Sequence, residues 1–422
     1  MRIRAVLATA LAALACSAVP ATAAPDPLRG EQWNLDMVES DAAHGTATGA
    51  GAIVAVIDSG VNAAHPDLAA RLLPGRDFVQ NDDTPQDTDG HGTHVTGIVV
   101  ANKENGVGVS SVAPGATVLP LRVLGDDGSG TTDNVAAAID YAVAHGAHVI
   151  NLSLGSDVPL IGAGGDAVFN AALGRAAAAN VTIVAAAGNN SVPLCEQPSI
   201  AGRVLCVGAA DRRGGRSFYS SAAGPRGVTA PGGSGLPVTG EDVLSTWNDG
   251  KYMEVAGTSQ AAPHVSGVAA LLVSLGLRGQ AAADRILATA TDAGAAGPDD
   301  MYGAGIVNAR AAVAGLEPPD GGPKGKASVA SKHRIASVLK KGIRVTCRAA
   351  TAGRCTARIV AGSTTLAYGS AKAKAGQTVT LVARVTKAGK QRLQKAKKNV
   401  SARAEMAIPG APTRTKSLTL LR

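Results

Sequence analysis

Aromatic side chains make up only 2% of this 422-residue chain. A core with so few rings must be packed from small aliphatic residues, and 52 glycines beside abundant alanine suit that demand. Beyond the first twenty residues, no apolar run is long enough to cross a bilayer. Acidic residues nearly vanish at the C-terminal end. Residues 318–422 hold 2 acids against 23 Lys and Arg, a net +21 within a chain of +8, so the first 317 residues carry −13. That basic stretch has one aromatic, Tyr368, too few to stack successive bases, which disfavours a sequence-specific nucleic-acid partner. Cysteine is sparse as well, with 5 in the whole chain.

Arg2 and Arg4 precede an apolar stretch over residues 5–19, and Ala21-Thr22-Ala23 supplies small residues for cleavage. Residues 1–23 therefore read as a secretory signal peptide cut after Ala23, and the mature chain is expected to be secreted and extracellular. Leu14 stands one place too close to Cys16 for good lipid attachment. Export favours oxidised cysteines. The four that remain allow three pairings, of which the local ones, Cys195–Cys206 and Cys347–Cys355, are the simplest. The first would stiffen the loop beyond Asn189, and the second would staple a hairpin.

Gly257-Thr258-Ser259-Gln260-Ala261-Ala262-Pro263-His264-Val265 is the most informative segment. It reads as a serine at the opening of a helix, where free N–H groups and the positive end of the helix dipole converge. Pro263 is expected in the first turn, where a missing N–H costs little. Upstream, Ile53-Val54-Ala55-Val56-Ile57-Asp58 suits a buried parallel strand that ends in a carboxylate. Gly90-His91-Gly92-Thr93-His94 sets an imidazole at a helix start, and Val184-Ala185-Ala186-Ala187-Gly188-Asn189 runs a strand into an amide. Alone, Ser259 would be an ordinary N-cap, and Asn189 a left-handed turn residue. His94 completes a His-x-x-His pair without a third ligand at useful spacing, so it reads as a core residue rather than a zinc ligand.

Taken together, these motifs resemble those of the subtilisin-like serine proteases, the subtilase family, whose triad runs in the order Asp, His, Ser. The likeness extends from about residue 31 to residue 314. It implies an α/β fold of three layers around a mostly parallel sheet. It also implies peptide hydrolysis through an acyl-enzyme, with Asp58 orienting, His91 as general base and then acid, and Ser259 as nucleophile. Asn189 and the Ser259 N–H would form the oxyanion hole, and no cofactor would enter the chemistry. By the same likeness, Gly128, Ser129 and Gly130 would pair with extended polypeptide substrates, while Ser153, Leu154 and Gly155 would line the primary pocket. Asp67 and Asn105, with the carbonyls of Lys103, Val107 and Val109, resemble a structural calcium site. The acidic run Asp82, Asp83, Asp87, Asp89 is read as a solvated loop before a second ion. Little chain separates Ala24 from Gln32-Trp33-Asn34-Leu35, leaving scant room for the inhibitory folding segment many subtilases carry. The alternative from another class is an inactive subtilase-fold adhesion protein.

The expected organisation is a signal peptide (1–23), an N-terminal arm (24–50), a protease domain (51–316), a Pro/Gly linker (317–327) and a basic, all-β, sandwich-like domain (328–422). Helices are expected over 135–144, 166–179 and 265–275, with a small basic one at 387–398 around Leu393. A monomer is expected. The basic domain suits an anionic cell-wall or surface polymer through a salt-dependent field. Where the family commonly has Met after the nucleophile, this chain has Gln260. No thioether therefore stands beside Ser259 to become a sulfoxide, and hydrogen peroxide should inactivate the protein slowly. Rapid loss, with oxidation mapped by mass spectrometry beside Ser259, would refute this.

Overall fold

The structure, a computed structural model, describes residues 24–155, 167–196, 204–317, 326–349, 353–362, 364–374, 376–408 and 411–422. The expected signal peptide and most of the expected linker lie outside the described residues.

Two short helices, α1 (Trp33–Met37) and α2 (Ser40–Ala43), open the first unit and bring Leu35, Val38 and Ala43 into its main core. Strand β1 (Ile53–Asp58) follows, then β2 (Arg76–Asp77), helix α3 (His91–Val100) and β3 (Thr117–Arg122). The chain continues through α4 (Thr132–Ala144), β4 (Val149–Leu152), α5 (Ala167–Ala178), β5 (Thr182–Ala186), β6 (Val204–Ala210) and β7 (Val228–Pro231). A hairpin of β8 (Val243–Thr246) and β9 (Tyr252–Val255) leads into α6 (Thr258–Ser274), α7 (Gly279–Ala288) and α8 (Ala309–Val313).

Seven of these strands form one parallel sheet in the order β2-β3-β1-β4-β5-β6-β7. Both faces of β1 are covered, as its unbroken apolar run demands. Val54 and Val56 join the core shared with α3 and α6, whereas Ala55 and Ile57 join that of α4 and α5. The result is a three-layer α/β arrangement. After β1 the chain adds β3 on one side and β4 on the other, so the order reverses at β1. A crevice at the C-terminal ends of the strands opens at such a point.

Glycine permits the closest contacts in this packing. A Cβ on Gly92 would stand 2.2 Å from the carbonyl oxygen of Gly60, so only glycine lets α3 abut the chain leaving β1.

The second unit contains β10 (Lys326–Val329), β11 (Lys332–Arg334), α9 (Ile335–Lys341), β12 (Ile343–Arg348), β13 (Gly353–Ala361) and β14 (Thr364–Ala373). It ends with β15 (Thr378–Val385), α10 (Lys387–Lys395), β16 (Val400–Ile408) and β17 (Ala411–Leu421). Its strands form a single eight-stranded sheet, ordered β10-β12-β15-β14-β13-β16-β17-β11 and curled into a half-barrel around one core. The sandwich-like expectation thus takes the form of one sheet folding over itself. Leu393, on the inner face of α10, is fully buried.

Several boundaries and one bridge depart from expectation: α4 begins at Thr132 and α6 at Thr258, ahead of the expected 135 and 265. Lys326 already pairs with Arg348 in β10, so the expected linker ends earlier than residue 327. Helix α10 stops at Lys395 because Ala396 turns extended. Both disulfides form as paired from sequence, with S–S distances of 2.04 and 2.01 Å. However, Cys347–Cys355 does not staple a hairpin. Its strands, β12 and β13, are separated in the sheet by β15 and β14, and both cysteines are buried. The bridge therefore crosses the core between two wings of the curled sheet.

Candidate active site

Three adjacent strand ends supply the first components. Asp58 ends β1, Ser153 follows β4, and Gly188-Asn189 follows β5. Asp58 is fully buried, and its Oδ1 accepts from the Ser59 N–H at 2.7 Å and from His91 Nδ1–H at 2.7 Å. Its Oδ2 has no hydrogen-bond partner among the described residues, which leaves that oxygen's charge directed only at its surroundings. His91 is the first residue of α3. Burial opposes a charge on the imidazole, but the Asp58 carboxylate beside it, aided by Asp89 and Asp87, wins and raises its pKa.

A network that the sequence did not disclose fixes His91 from behind. The Ser59 hydroxyl donates to Asp87 Oδ1 at 2.9 Å and accepts the Gly92 N–H at 2.9 Å. Asp87 also takes the N–H groups of Asp89, Gly90 and Thr93, which spreads a buried charge over several donors. His94 is fully buried, donates Nε2–H to the Val243 and Met253 carbonyls, and is pushed by burial down to about 3. It is a neutral core residue.

Ser259 is the second residue of α6 and half-buried, with an N–H that helix geometry leaves without an intrahelical acceptor. The exposed Asn189 faces this turn. Its Oδ1 accepts from the Thr258 N–H and hydroxyl, both at 3.0 Å, which frees Nδ2 as a donor on the Gly257 side. Glu196, buried next to Cys195, holds the neighbouring turn: it accepts from Asn190 Nδ2 at 2.7 Å and from the Ser221 hydroxyl. The Cys195–Cys206 bridge thus anchors the carboxylate that braces the Asn189 loop.

Pro263 is not in the first turn. Helix α6 starts at Thr258, which makes Pro263 its sixth residue and removes the N–H that would bond the Ser259 carbonyl. Ser153 supplies the missing donor, its hydroxyl reaching that carbonyl at 2.7 Å. Ser153 is buried and itself accepts from Asn151 Nδ2, so it contacts the backbone of Ser259. Leu154 is half-buried and Gly155 exposed beyond it. Gly128, Ser129 and Gly130 form an exposed loop in which Gly130 bridges antiparallel to Leu124, and Ser129 donates to Asp127. Gln260 is buried.

Asp67 and Asn105 meet at 2.7 Å, with the Val109 N–H and the Tyr252 hydroxyl also on the Asp67 carboxylate. Burial raises the Asp67 pKa, and these donors only offset it in part. Asp26, which no sequence motif marks, is buried and accepts the N–H groups of Glu104 and Asn105 in the same loop. The acidic run does not gather around one point. Asp82 caps the Thr84 N–H, Asp83 pairs with Arg76, Asp87 serves the network above and Asp89 takes the His91 N–H. Among the described residues no three acidic, His or Cys side chains cluster as metal ligands.

A profile of the Subtilase family matches residues 49–305. Thermitase of Thermoactinomyces vulgaris is 38% identical over 245 residues, covering 58% of this chain and 83% of that protein. Subtilisin Savinase of Lederbergia lenta is 36% identical over 283 residues, covering 66% of this chain and 97% of its own length. Among solved structures, a protease from Pseudoalteromonas arctica aligns with a TM-score of 0.61 at 33% identity, covering 69% of this chain and 99% of that one.

The Ser153 contact makes a double-mutant prediction. Ser153→Ala leaves the Ser259 carbonyl without its donor and should cost about 1–3 kcal/mol of stability. Pro263→Ala restores a backbone N–H, so it should be markedly less costly, or even stabilising, in the Ser153→Ala background. Urea unfolding midpoints of the four proteins test this, and strictly additive effects would refute it.

Proposed function

This chain belongs to the subtilase family and is a serine endopeptidase, and we propose that Asp58, His91, Ser259 and Asn189 carry its chemistry. The Asp58–His91 hydrogen bond of 2.7 Å is the observation that supports this reading most, and Ser153 and Asn189 from the two neighbouring strand ends bond the first turn of α6. Asp58 holds the proton on His91 Nδ1, so Nε2 presents its lone pair to Ser259 Oγ. Attack of Oγ on the scissile carbonyl passes the hydroxyl proton to Nε2. The oxyanion then takes hydrogen bonds from the Ser259 N–H and Asn189 Nδ2. His91 returns its proton to the leaving amine, and water repeats the sequence on the acyl-enzyme. Subtilases need no cofactor for this chemistry.

An extended polypeptide would add as a strand along Gly128, Ser129 and Gly130. Leu154 and Gly155 would border the pocket for the side chain before the scissile bond. Neither Leu154 nor Gly155 puts a bulky polar group there, which favours broad cleavage with an apolar preference. A structural calcium ion would offset the buried Asp67 charge, together with the carbonyls of Lys103, Val107 and Val109. Asn105 would first have to turn its amide oxygen inward, giving up the Val107 N–H that this oxygen accepts at 2.8 Å and the bond its Nδ2 donates to Asp67. The disulfides and the leader fit a secreted, extracellular protein, and the basic unit would tether it to anionic surface polymers.

Labelling with a fluorophosphonate probe tests the assignment. The adduct should map to Ser259 and disappear in Ser259→Ala and His91→Ala. Labelling at another serine would overturn Ser259 as the nucleophile, and none on folded protein would favour an inactive binding protein.

The raised His91 pKa fixes the sign of the pH dependence. The base must be neutral, so kcat/KM should fall with acidity through a midpoint above the ordinary 6.5. Asp58→Asn should move that midpoint down and lower kcat roughly 10⁴-fold, the scale seen for a triad carboxylate in an unrelated protease. An unmoved acid limb in Asp58→Asn would contradict the assignment.

A further inference from the structure

In an antiparallel sheet, residues directly opposite one another share a face. Tyr368 on β14 lies opposite Arg384 on β15 and opposite Arg358 on β13, and Arg358 in turn lies opposite Glu405 on β16. One row across four strands therefore reads Arg384, Tyr368, Arg358, Glu405. These side chains alternate with the buried residues Ala357, Ile359, Ala383, Ala404 and Met406, so the row faces solvent. Adjacent strands lie about 4.8 Å apart, which spaces the two guanidinium-bearing positions at about 10 Å with a ring between them. Four residues along the same two strands, Arg354 lies opposite Lys372. With Gly353, Ala373, Lys374 and Gln377 they line an open groove of about 560 Å³.

Little neutralises these charges. Glu405 is the one acid among the described residues of this unit; Arg403 takes it at 2.7 Å, and Arg358 stands 3.8 Å from it. Arg384, Lys372 and Lys374 have no acidic partner among the described residues. Tyr368, 38% exposed, is the only large hydrophobic side chain exposed on this unit among those described. A surface with no apolar wedge does not enter a bilayer, and one ring cannot stack a run of bases. Spaced guanidinium forks beside one flat ring match a different polymer. Such forks grip carboxylates and phosphates with two parallel hydrogen bonds, and the ring offers a platform for a sugar.

We propose that the solvent face of this sheet binds an acidic polysaccharide, with its carboxylate or phosphate groups held by Arg384, Arg358, Arg354 and Lys372 and a sugar ring laid on Tyr368. This rests on the surface-tether reading above and gives that reading a site and a ligand class. Held there, the protease would work on proteins embedded in or shed from an acidic glycan layer.

The test uses the full chain carrying Ser259→Ala to prevent self-digestion, at about 0.15 M salt where the Debye length is ~8 Å. The probes are polygalacturonate, neutral dextran, single-stranded oligothymidylate and phosphatidylglycerol vesicles, with binding measured by titration calorimetry and co-sedimentation. Polygalacturonate should bind and dextran should not. Arg358→Ala/Arg384→Ala should weaken polygalacturonate at least about tenfold, and Tyr368→Ala severalfold. The control pair Lys397→Ala/Lys398→Ala removes the same charge from exposed positions after α10 and should change binding less than about twofold. Circular dichroism verifies that each variant is folded. Equal losses from the two pairs would mean that net charge alone acts, and this face would fall while the tether reading stood. Tighter binding of DNA or vesicles than of polygalacturonate would also overturn the assignment. No binding to any polyanion would remove the tether reading itself.

Discussion

Helix α6 is buried from Gln260 to Val273 against β4, β5, β6 and β7, and the other parts of the site take their positions from that contact. Each large aliphatic side chain placed there contributes about 1.5–3 kcal/mol, so the helix cannot slide or tilt without opening the core. Its N-terminus consequently stands fixed at the C-terminal edge of the sheet. Ser259 inherits that fixity, as does Asn189 through its two bonds to Thr258. The proline within α6 would be a liability in an isolated helix. Here the strand beside it carries a hydroxyl that replaces the lost donor. Helix α3 packs on the same element and brings His91 to the same edge.

Charge is rationed in this interior. His94 and His264 are fully buried and kept neutral by burial, pushed down to about 3 and about 4. The carboxylates that remain inside are saturated with donors, as Asp87 and Glu196 are, or paired, as Asp77 is with Arg122 at 2.8 Å. Asp58 is the exception, holding one oxygen without a partner among the described residues beside His91, whose pKa it helps to raise. In a low-dielectric setting that asymmetry concentrates the field on His91.

The two units solve the problem of scarce aromatics differently. The first buries alanine and valine between a sheet and helices on both faces. The second is too small for that and closes one curled sheet around a core crossed by Cys347–Cys355. Its surface is then free to carry cations in register, because alternate residues on every strand point outward. The two units carry opposite charge, the first net acidic around the catalytic residues and the second net basic over its exposed strand faces.

Much of this was legible in the residues themselves. The unbroken run into Asp58, the glycines around His91, the amide after Gly188 and the helical spacing beyond Ser259 announced a parallel sheet with chemistry at its edge. The charge step near residue 318 marked the second unit, and alternation in residues 379–385 marked its strands. These are local signals, set by periodicity, turn chemistry and composition, and they survive without knowledge of neighbours. What the tertiary structure alone decided is everything that joins residues far apart in sequence. Examples are the Ser153 hydroxyl on the Ser259 carbonyl, the brace of Ser59 and Asp87 behind His91, and the bridge that spans a core instead of a hairpin. The row of Arg384, Tyr368 and Arg358 belongs with them. No local pattern encodes which strands become neighbours or in what register, because that choice is made by the burial of whole faces at once.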